Sequence, residues 1–337
     1  MYRDISQHIN PIQSKSIMST FDEQTQGTGV TKTFPDRVKG KTCTTLPPNP
    51  VSKLTNPPTV LISGLSRGDL AATTADAPAH GGAGTIVCTG RSQPELQPVL
   101  DHIKRKYKVV NIIFVTADPG IPASFQEAAQ TIKKLGVTID GFVGFPEVMA
   151  VPWELTVDGL GSHFQRNYLC YFLMLNLLCP IMKPESRVVL VTSSLRNEAP
   201  APSWEDLGME RITIVLMDTK PNVQTYVAME DIKSWLQRKK EAGEDIPVLL
   251  QQAPKSLGQG SATVLRGLLD PELEGKDNHV KYMYSILVGR YEVLAQSGAF
   301  LDHCQTPKLP HLDFPAGEES AEALWRRSQE LVESFIS

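Results

Sequence analysis

The segment TVLISGLSRGDLAATTADA, Thr59–Ala77, decides the fold of this chain. It opens with a mostly apolar run, Thr59–Ser63, passes through a turn that contains Gly64 and Gly68, and then becomes a stretch without glycine or proline. A buried strand that runs through a glycine turn into a helix predicts the first half of a βαβ unit. The same turn could bring a pyrophosphate close to a helix N-terminus, although two glycines serve a purely structural turn equally well.

The central part of the chain repeats this alternation of apolar strand and amphipathic helix. Strands that are apolar almost throughout are typical of a parallel sheet that helices cover on both faces. We therefore predict an α/β fold with a doubly wound parallel sheet of Rossmann type, followed by C-terminal helices that cover the sheet or line a substrate pocket. The predicted strands are Thr59–Ser63, Thr85–Thr89, Val109–Val115, a strand within Ile139–Phe145, Arg187–Ser193 and Ile246–Gln252, and the helices before the last two strands are Ser162–Leu178 and Val223–Lys240.

The sequence before the first strand has a different composition. Residues 1–57 are rich in Thr, Ser, Gln and Pro and show no hydrophobic periodicity, which predicts a disordered leader. Met18 is an alternative start to Met1. Residues 58–337 are predicted to form one Rossmann-type domain, with a helical extension from about residue 256.

Composition and charge narrow the class of protein. The net charge of −4 and the pI of about 6.0 do not favour a nucleic-acid or anionic-membrane partner. Five cysteines without a CxxC pair indicate free thiols in a reducing compartment, so a cytoplasmic protein is expected. The longest apolar run, Asn167–Met182, falls short of the roughly 20 residues of a membrane span and predicts a buried helix. No metal is expected, because Asp302, His303, Cys304 and His311 lack a recognised ligand spacing.

Ligands of a parallel sheet bind at the carboxyl ends of its strands, so the residues that follow each strand are candidates for a site. Arg91 follows the second strand, where a cation favours the 2′-phosphate of NADP; the alternative is a surface arginine. Asp118 follows the third strand and either accepts a bond from an adenine amino group or caps the next turn. Asn167, in an apolar helix, either bonds backbone or holds a water in an active site. Ser193 ends the fifth strand and presents its hydroxyl to the ligand crevice.

A further candidate lies in TYVAMEDIK, Thr225–Lys233, within the helix after the fifth strand. A tyrosine followed four residues later by a lysine places a phenol and an ammonium on one helical face, which suits a proton-donating tyrosine. Here Tyr226 is followed at that spacing by Glu230, and a nearby carboxylate favours the neutral phenol. Tyr226 is therefore either an active-site phenol with an unusual partner or an ordinary helix tyrosine.

One continuous segment, Ile139–Ser194, resembles a known family. It contains IDGFVGF, VMA, TVDG, FQRN and RVVLVTSS in an order similar to that of the short-chain dehydrogenase/reductase family, in particular its retinol-dehydrogenase-like branch. The resemblance covers roughly residues 58–260 and implies a nicotinamide cofactor on a Rossmann-type fold. It implies catalytic roles for Ser193, Tyr226 and Asn167, cofactor-loop roles for Gly64, Ser66 and Gly68, an NADP-selecting role for Arg91 and an adenine contact for Asp118.

Four positions depart from the family pattern. Leu70 stands in the place of the third loop glycine. GFPE, Gly144–Glu147, replaces the family's NNAG, and its phenylalanine and glutamate are expected to crowd a cofactor. Lys255 takes a glycine place after the sixth strand. Glu230 replaces the catalytic lysine and is retained as a candidate acid, base or ribose acceptor.

The resemblance implies an NADP(H)-dependent oxidoreductase acting on a carbonyl or hydroxyl group of a small molecule, and we expect a role in specialised metabolite biosynthesis. The departures leave two alternatives: a non-redox cyclase, isomerase or dehydratase on the same fold, and a catalytically silent binding protein. The helix in Asn167–Met182 resembles one that pairs subunits in this family, so it either forms a homodimer or serves only the core.

Overall fold

The computed structural model describes residues 21–22, 24–39, 58–66, 70–145, 154–191, 241, 243, 256–271 and 318–336. The sheet in this part of the chain has five parallel strands in the order β3-β2-β1-β4-β5. The chain builds outward from β1 to β3, then returns to place β4 on the other side of β1. This arrangement confirms the predicted doubly wound parallel sheet. The strands are β1 (Thr59–Ser63), β2 (Thr85–Gly90), β3 (Asn111–Thr116), β4 (Ile139–Gly144) and β5 (Met182–Leu190).

Helices cover both faces of this sheet. Because successive strand side chains point to opposite faces, Val60 and Ile62 of β1 pack into one hydrophobic cluster and Leu61 into the other. The first cluster also contains residues of α1 to α4 and α8, and the second contains residues of α5, α7 and α9. The helices are α1 (Gly27–Thr33), α2 (Pro35–Lys39), α3 (Leu70–Gly81), α4 (Gln93–Lys106), α5 (Pro122–Lys134), α6 (Ser162–Phe164), α7 (Cys170–Leu178), α8 (Leu257–Leu269) and α9 (Glu318–Ile336).

Two strands differ from their predicted bounds. β3 begins at Asn111 rather than Val109, because Val109 lies in a turn and is 87% exposed. β5 begins at Met182, five residues before the predicted start at Arg187. The predicted sixth strand, Ile246–Gln252, lies outside the described residues.

The predicted helix Ser162–Leu178 is interrupted. Between α6 and α7 the backbone forms a π-helical turn, Gln165–Leu169, and a short 3-10 turn, Cys179–Ile181, follows α7. π-Turns of this kind occur often at functional sites, and this one contains Asn167.

The N-terminal region corrects a prediction. Residues 24–39 were predicted to belong to a disordered leader, but they form α1 and α2, which pack against α3 and α8. Val30 is 0% exposed and Val38 2% exposed. Gly27 allows the close approach of α8, because a Cβ there would lie 2.3 Å from the Ser261 hydroxyl oxygen. The segment folds because these few apolar and small residues fall on faces that the domain covers.

The C-terminal helices take two different places. α8, which was not predicted as a separate helix, begins with a capping box between Ser256 and Gln259. α9 confirms the predicted terminal helix and packs on α5 and α7, where the rings of Trp325 and Phe172 meet edge to face at 4.9 Å. The α7 face that was expected either to pair subunits or to serve the core is therefore covered, at this point, by the chain itself. Among the helices described, none combines the length and apolar character that crossing a membrane requires.

Candidate functional site

The candidate site lies at the carboxyl ends of β1 and β4, where the order in which the chain adds strands to the sheet reverses. β1 pairs with β2 on one side and with β4 on the other, so the connections from these strands diverge to opposite sides of the sheet. Ligands of doubly wound sheets bind at such a switch point. The residues that begin this crevice are Gly64 after β1 and Phe145 after β4.

The turn after β1 is held tightly by the protein itself. The backbone N–H groups of Gly64 and Leu65 both donate to the Thr89 carbonyl oxygen, at 3.1 and 3.0 Å. Below them, the buried Thr89 hydroxyl donates to the Ser63 hydroxyl at 2.8 Å. The first two backbone N–H groups of the turn are therefore already hydrogen-bonded within the protein. Hydrogen-bond donors for a pyrophosphate would come from residues beyond Leu65, of which the exposed Ser66 is the first.

Both close packing and the backbone conformation require a glycine at position 64. Its φ of +91° favours glycine, and a Cβ at this position would lie 2.3 Å from the Phe145 carbonyl oxygen. The same Cβ would lie 2.7 Å from the Tyr171 hydroxyl oxygen. The glycine predicted to approach a cofactor is thus needed for an internal junction of β1, β4 and α7.

Arg91 and Asp118 follow neighbouring strands. The last paired residues of β2 and β3 are Gly90 and Thr116, so Arg91 is one residue beyond the ladder and Asp118 is two. Arg91 is exposed at this edge of the sheet. Both residues therefore follow the carboxyl ends of neighbouring strands, where ligands of a parallel sheet bind.

Asp118 also shapes its own loop. Its Oδ1 accepts a bond from the Gly120 N–H at 2.8 Å, and its own N–H donates to the Ser124 hydroxyl at 3.0 Å. The turn-capping role, one of the two alternatives for Asp118, is therefore present in the structure. The carboxylate has a second oxygen with which to meet a ligand.

The helix that carries Asn167 is anchored to this same loop. The buried Gln165 amide donates to the Gly120 carbonyl at 2.9 Å and accepts from the Thr156 hydroxyl at 2.6 Å. The Cys170 thiol donates to the Pro119 carbonyl at 3.1 Å. Asn167 lies between these two anchors and is half-buried. The π-turn is thereby fixed next to the carboxyl end of β3.

Burial changes the titration of groups in this helix. Burial raises the pKa of the Cys170 thiol to about 12, so the thiol stays protonated and is a poor nucleophile. Burial, followed by the nearby Arg166 guanidinium, lowers the pKa of His163, which favours the neutral ring. Neither group is therefore a charged reactant at neutral pH.

Two departures from the family pattern have structural explanations. Leu70 opens α3 and is directed at α8, where a Cβ on Gly260 would lie 2.9 Å from its Cδ1. A glycine on the facing helix therefore makes room for the leucine. Phe145 was expected to crowd a cofactor, but its side chain is 6% exposed and belongs to the core cluster with Leu65.

The remaining predicted site residues, Gly68, Ser193, Tyr226 and Glu230, lie outside the described residues, as does Lys255. Their assignments stay predictions. Sequence reasoning missed Tyr171, which the structure places against the glycine turn. Its spacing, four residues after Asn167 in an apolar helix, was the available signal.

Comparison with known proteins supports this description. No model of a protein family matches the chain. An oxidoreductase of Fusarium equiseti, fscI, is 30% identical over 187 residues, which cover 53% of this chain and 66% of that protein. A short-chain dehydrogenase/reductase of Penicillium roqueforti, prx1, is 26% identical over 197 residues, 47% of this chain and 55% of that protein. The chain thus spans about two thirds of the first relative and about half of the second.

A solved structure supports the fold over a larger part of the chain. An uncharacterised protein of Mycobacterium paratuberculosis superposes with a TM-score of 0.52 at 19% identity, over 82% of this chain and 93% of that one. The retinol-dehydrogenase-like branch stays a prediction. Its doubly wound sheet and the names of its relatives together show that the chain belongs to the short-chain dehydrogenase/reductase family.

Proposed function

We propose that this chain is an NADP(H)-dependent oxidoreductase that interconverts a carbonyl and a hydroxyl group on a small molecule. The observation that carries the proposal is the juxtaposition of the Gly64 turn with Arg91 and Asp118, at the carboxyl ends of three adjacent strands. The oxidoreductase names of the relatives from Fusarium equiseti and Penicillium roqueforti agree with it. We also propose, as the sequence led us to expect, that the reaction belongs to specialised metabolism in the cytoplasm.

The described residues fit the adenosine half of the cofactor. Arg91 would hold the 2′-phosphate, because its exposed guanidinium follows β2, the strand whose end discriminates the two nicotinamide dinucleotides. Asp118 would meet the adenine amino group with the carboxylate oxygen that does not cap Gly120. Gly64, Ser66 and Gly68 would form the pyrophosphate loop. When bound, the cofactor supplies or accepts a hydride.

The remaining chemistry belongs to residues outside the described part of the chain and to Asn167. Ser193 would hold the substrate oxygen by a hydrogen bond, and Tyr226 would donate the proton that this oxygen needs on reduction. Asn167 would hold a water next to the tyrosine. Glu230 would keep the Tyr226 phenol neutral, although its negative charge also makes the phenol a weaker acid. A lysine at this position would instead make the phenol a stronger acid.

A second candidate function is non-redox catalysis on the same site. Glu230 favours it, because a carboxylate beside a neutral phenol provides an acid and a base for cyclisation, isomerisation or dehydration of a carbonyl compound. A silent binding protein would keep the fold and have neither activity.

Turnover of a panel of carbonyl compounds separates these functions. With NADPH present, we expect the wild-type protein to consume NADPH. Tyr226→Phe should abolish this consumption and Ser193→Ala should strongly reduce it. Glu230→Lys restores the family's lysine and should raise the rate above wild type. Conversion without any nucleotide would instead establish the non-redox function. Absence of conversion under both conditions, with a folded protein, would leave the silent binding protein.

A further inference from the structure

We infer that Tyr171 is a positioning residue. It fixes the backbone at Phe145, where the loop after β4 (the β4 loop) begins, and so holds the cofactor crevice in the form that binds the cofactor. The inference rests on the proposed function for the ligand, but its structural part concerns only residues of this chain. Tyr171 lies in α7 and is 3% exposed, and no catalytic role is assigned to it.

Two glycines form the socket in which Tyr171 lies. A Cβ at Gly144 would stand 2.8 Å from Cδ1 and 2.9 Å from Cε1 of the Tyr171 ring. A Cβ at Gly64 would stand 2.7 Å from the hydroxyl oxygen. Cβ contacts this short do not occur without displacement, so both positions need glycine for the tyrosine to reach the switch point. The glycines of both strand ends are therefore matched to one side chain of α7.

The hydroxyl at the end of this socket holds a backbone carbonyl. Tyr171 donates to the Phe145 carbonyl oxygen at 2.8 Å, and the bond is buried. The Phe145 N–H in turn donates to the Ser63 carbonyl oxygen at 2.9 Å. Both backbone groups of Phe145 are thus engaged, one by β1 and the other by α7. The start of the loop is fixed in position and in orientation.

The sequence after Phe145 increases the importance of this bond. Residue 146 is proline, which has no N–H, so the peptide bond between Phe145 and residue 146 offers a ligand no donor. Its only polar group is the carbonyl that Tyr171 holds. Without the hydroxyl, this peptide is free to rotate and turn its carbonyl toward the crevice, where it would face cofactor phosphates or the carbonyl of the substrate.

Tyr171 also connects the crevice to the rest of the domain. Its ring meets Phe125 of α5 edge to face, with centroids 6.0 Å apart, and Asn167 precedes it by one turn of the same helix. One side chain therefore sets the spacing between the glycine turn, the β4 loop and the helix that carries Asn167. If only a fraction of the molecules keep the loop in its competent form, the apparent affinity for the cofactor falls to that fraction of its intrinsic value.

The same helix provides a matched control. The hydroxyls of Tyr168 and Ser328 of α9 are hydrogen-bonded at 3.0 Å, so Tyr168→Phe and Tyr171→Phe each remove one hydroxyl from a largely buried ring. The two bonds lead to different places, one to α9 and the other to the crevice. Two measurements are made on the full chain: amide hydrogen exchange of the peptide that contains Phe145, without nucleotide, and the dissociation constant for NADPH.

Tyr171→Phe is expected to accelerate exchange at Phe145 and to raise the dissociation constant for NADPH by about tenfold, the scale of one lost buried hydrogen bond. Tyr168→Phe is expected to leave both within about twofold. Unchanged exchange at Phe145 in Tyr171→Phe overturns the positioning role, and so does an equal loss of affinity in both variants. If wild type binds neither NADPH nor NADH, the proposed function fails, while exchange still decides whether Tyr171 holds the loop.

Discussion

The Nε of Arg266 donates to the Oδ2 of Asp270 at 2.9 Å, and the two side chains are only 1% and 2% exposed. This pair closes the C-terminus of α8, where Arg187 of β5 donates to the Asp270 carbonyl at 2.7 Å. The Arg266 guanidinium also lies over the Phe21 ring, 5.6 Å from its centroid. The buried ion pair thus lies where α8, β5 and the N-terminal segment meet.

Asp270→Asn should therefore be strongly destabilising. It removes the negative charge that the buried Arg266 guanidinium contacts, for which a loss of about 3–5 kcal/mol in the free energy of unfolding is expected. The control is Glu330→Gln, which breaks the Arg327–Glu330 pair, also at 2.9 Å but with side chains 54% and 55% exposed. That change should cost at most about 1 kcal/mol. Equal losses in urea unfolding would refute the importance of the buried pair.

Gly64→Ala should disrupt the switch point. The substitution adds a Cβ at a φ of +91° and places it against the Phe145 carbonyl, so stability should fall by at least about 1–3 kcal/mol from backbone strain alone. Gly29→Ala is the control, because its Cβ would meet its nearest atom, in Thr25, only at 4.0 Å. Thermal unfolding checks both variants. A Gly64→Ala protein as stable as wild type would show that the junction with Tyr171 is not close-packed.

The N-terminal helices should contribute to the stability of the whole domain. Val30→Ala removes two methyl groups from a residue that is 0% exposed, and a loss of about 2 kcal/mol in the free energy of unfolding is expected. Lys32→Ala, at an exposed position of the same helix, should change it by less than about 0.5 kcal/mol. Denaturant unfolding measures the difference. Indistinguishable variants would mean that α1 does not pack on the domain in solution.

Cys88 should make stability fall at alkaline pH. Burial raises the pKa of its thiol from the ordinary value of 9.0 to about 12, so between these values the unfolded chain releases a proton that the folded protein keeps. Stability contributed by this group is complete below about pH 9 and is lost as pH rises toward 12. Cys88→Ala should flatten this decline, whereas Val87→Ala, on the same strand, should lower stability equally at every pH. Parallel profiles for the two variants would contradict this role of the thiol.

The sequence predicted the features that depend on local pattern. The strand–turn–helix order around Gly64 specified the parallel sheet, and the positions of Arg91 and Asp118 followed from the rule that parallel strands end at one edge. The π-turn inside Ser162–Leu178 was not predictable from periodicity, because helical hydrophobic spacing continues through it. α1 was missed because a helix of seven residues with two glycines has too few apolar positions to show a period.

Other features depend on contacts that are distant in the sequence. In the sequence alone, Leu70 is a departure from a glycine motif. The structure shows that Gly260 of α8 makes room for its side chain. Tyr171 reads as one more core residue of an apolar helix, because its bond to Phe145 joins a side chain to a backbone carbonyl, which leaves no pattern in residue types. Compensation of this kind is visible only when the packed partners are known.

The central claim is that NADP(H) binds at the carboxyl ends of the strands with Arg91 selecting the 2′-phosphate. The most direct measurement is a fluorescence titration of the full chain with NADPH and with NADH, for wild type, Arg91→Ala and the exposed control Arg105→Ala. Wild type and Arg105→Ala should bind NADPH at least about tenfold more tightly than NADH, the scale of one charge-assisted hydrogen bond. Arg91→Ala should lose this preference while keeping its affinity for NADH. A wild-type protein that binds neither nucleotide, or an Arg91→Ala variant with an unchanged preference, would contradict the account.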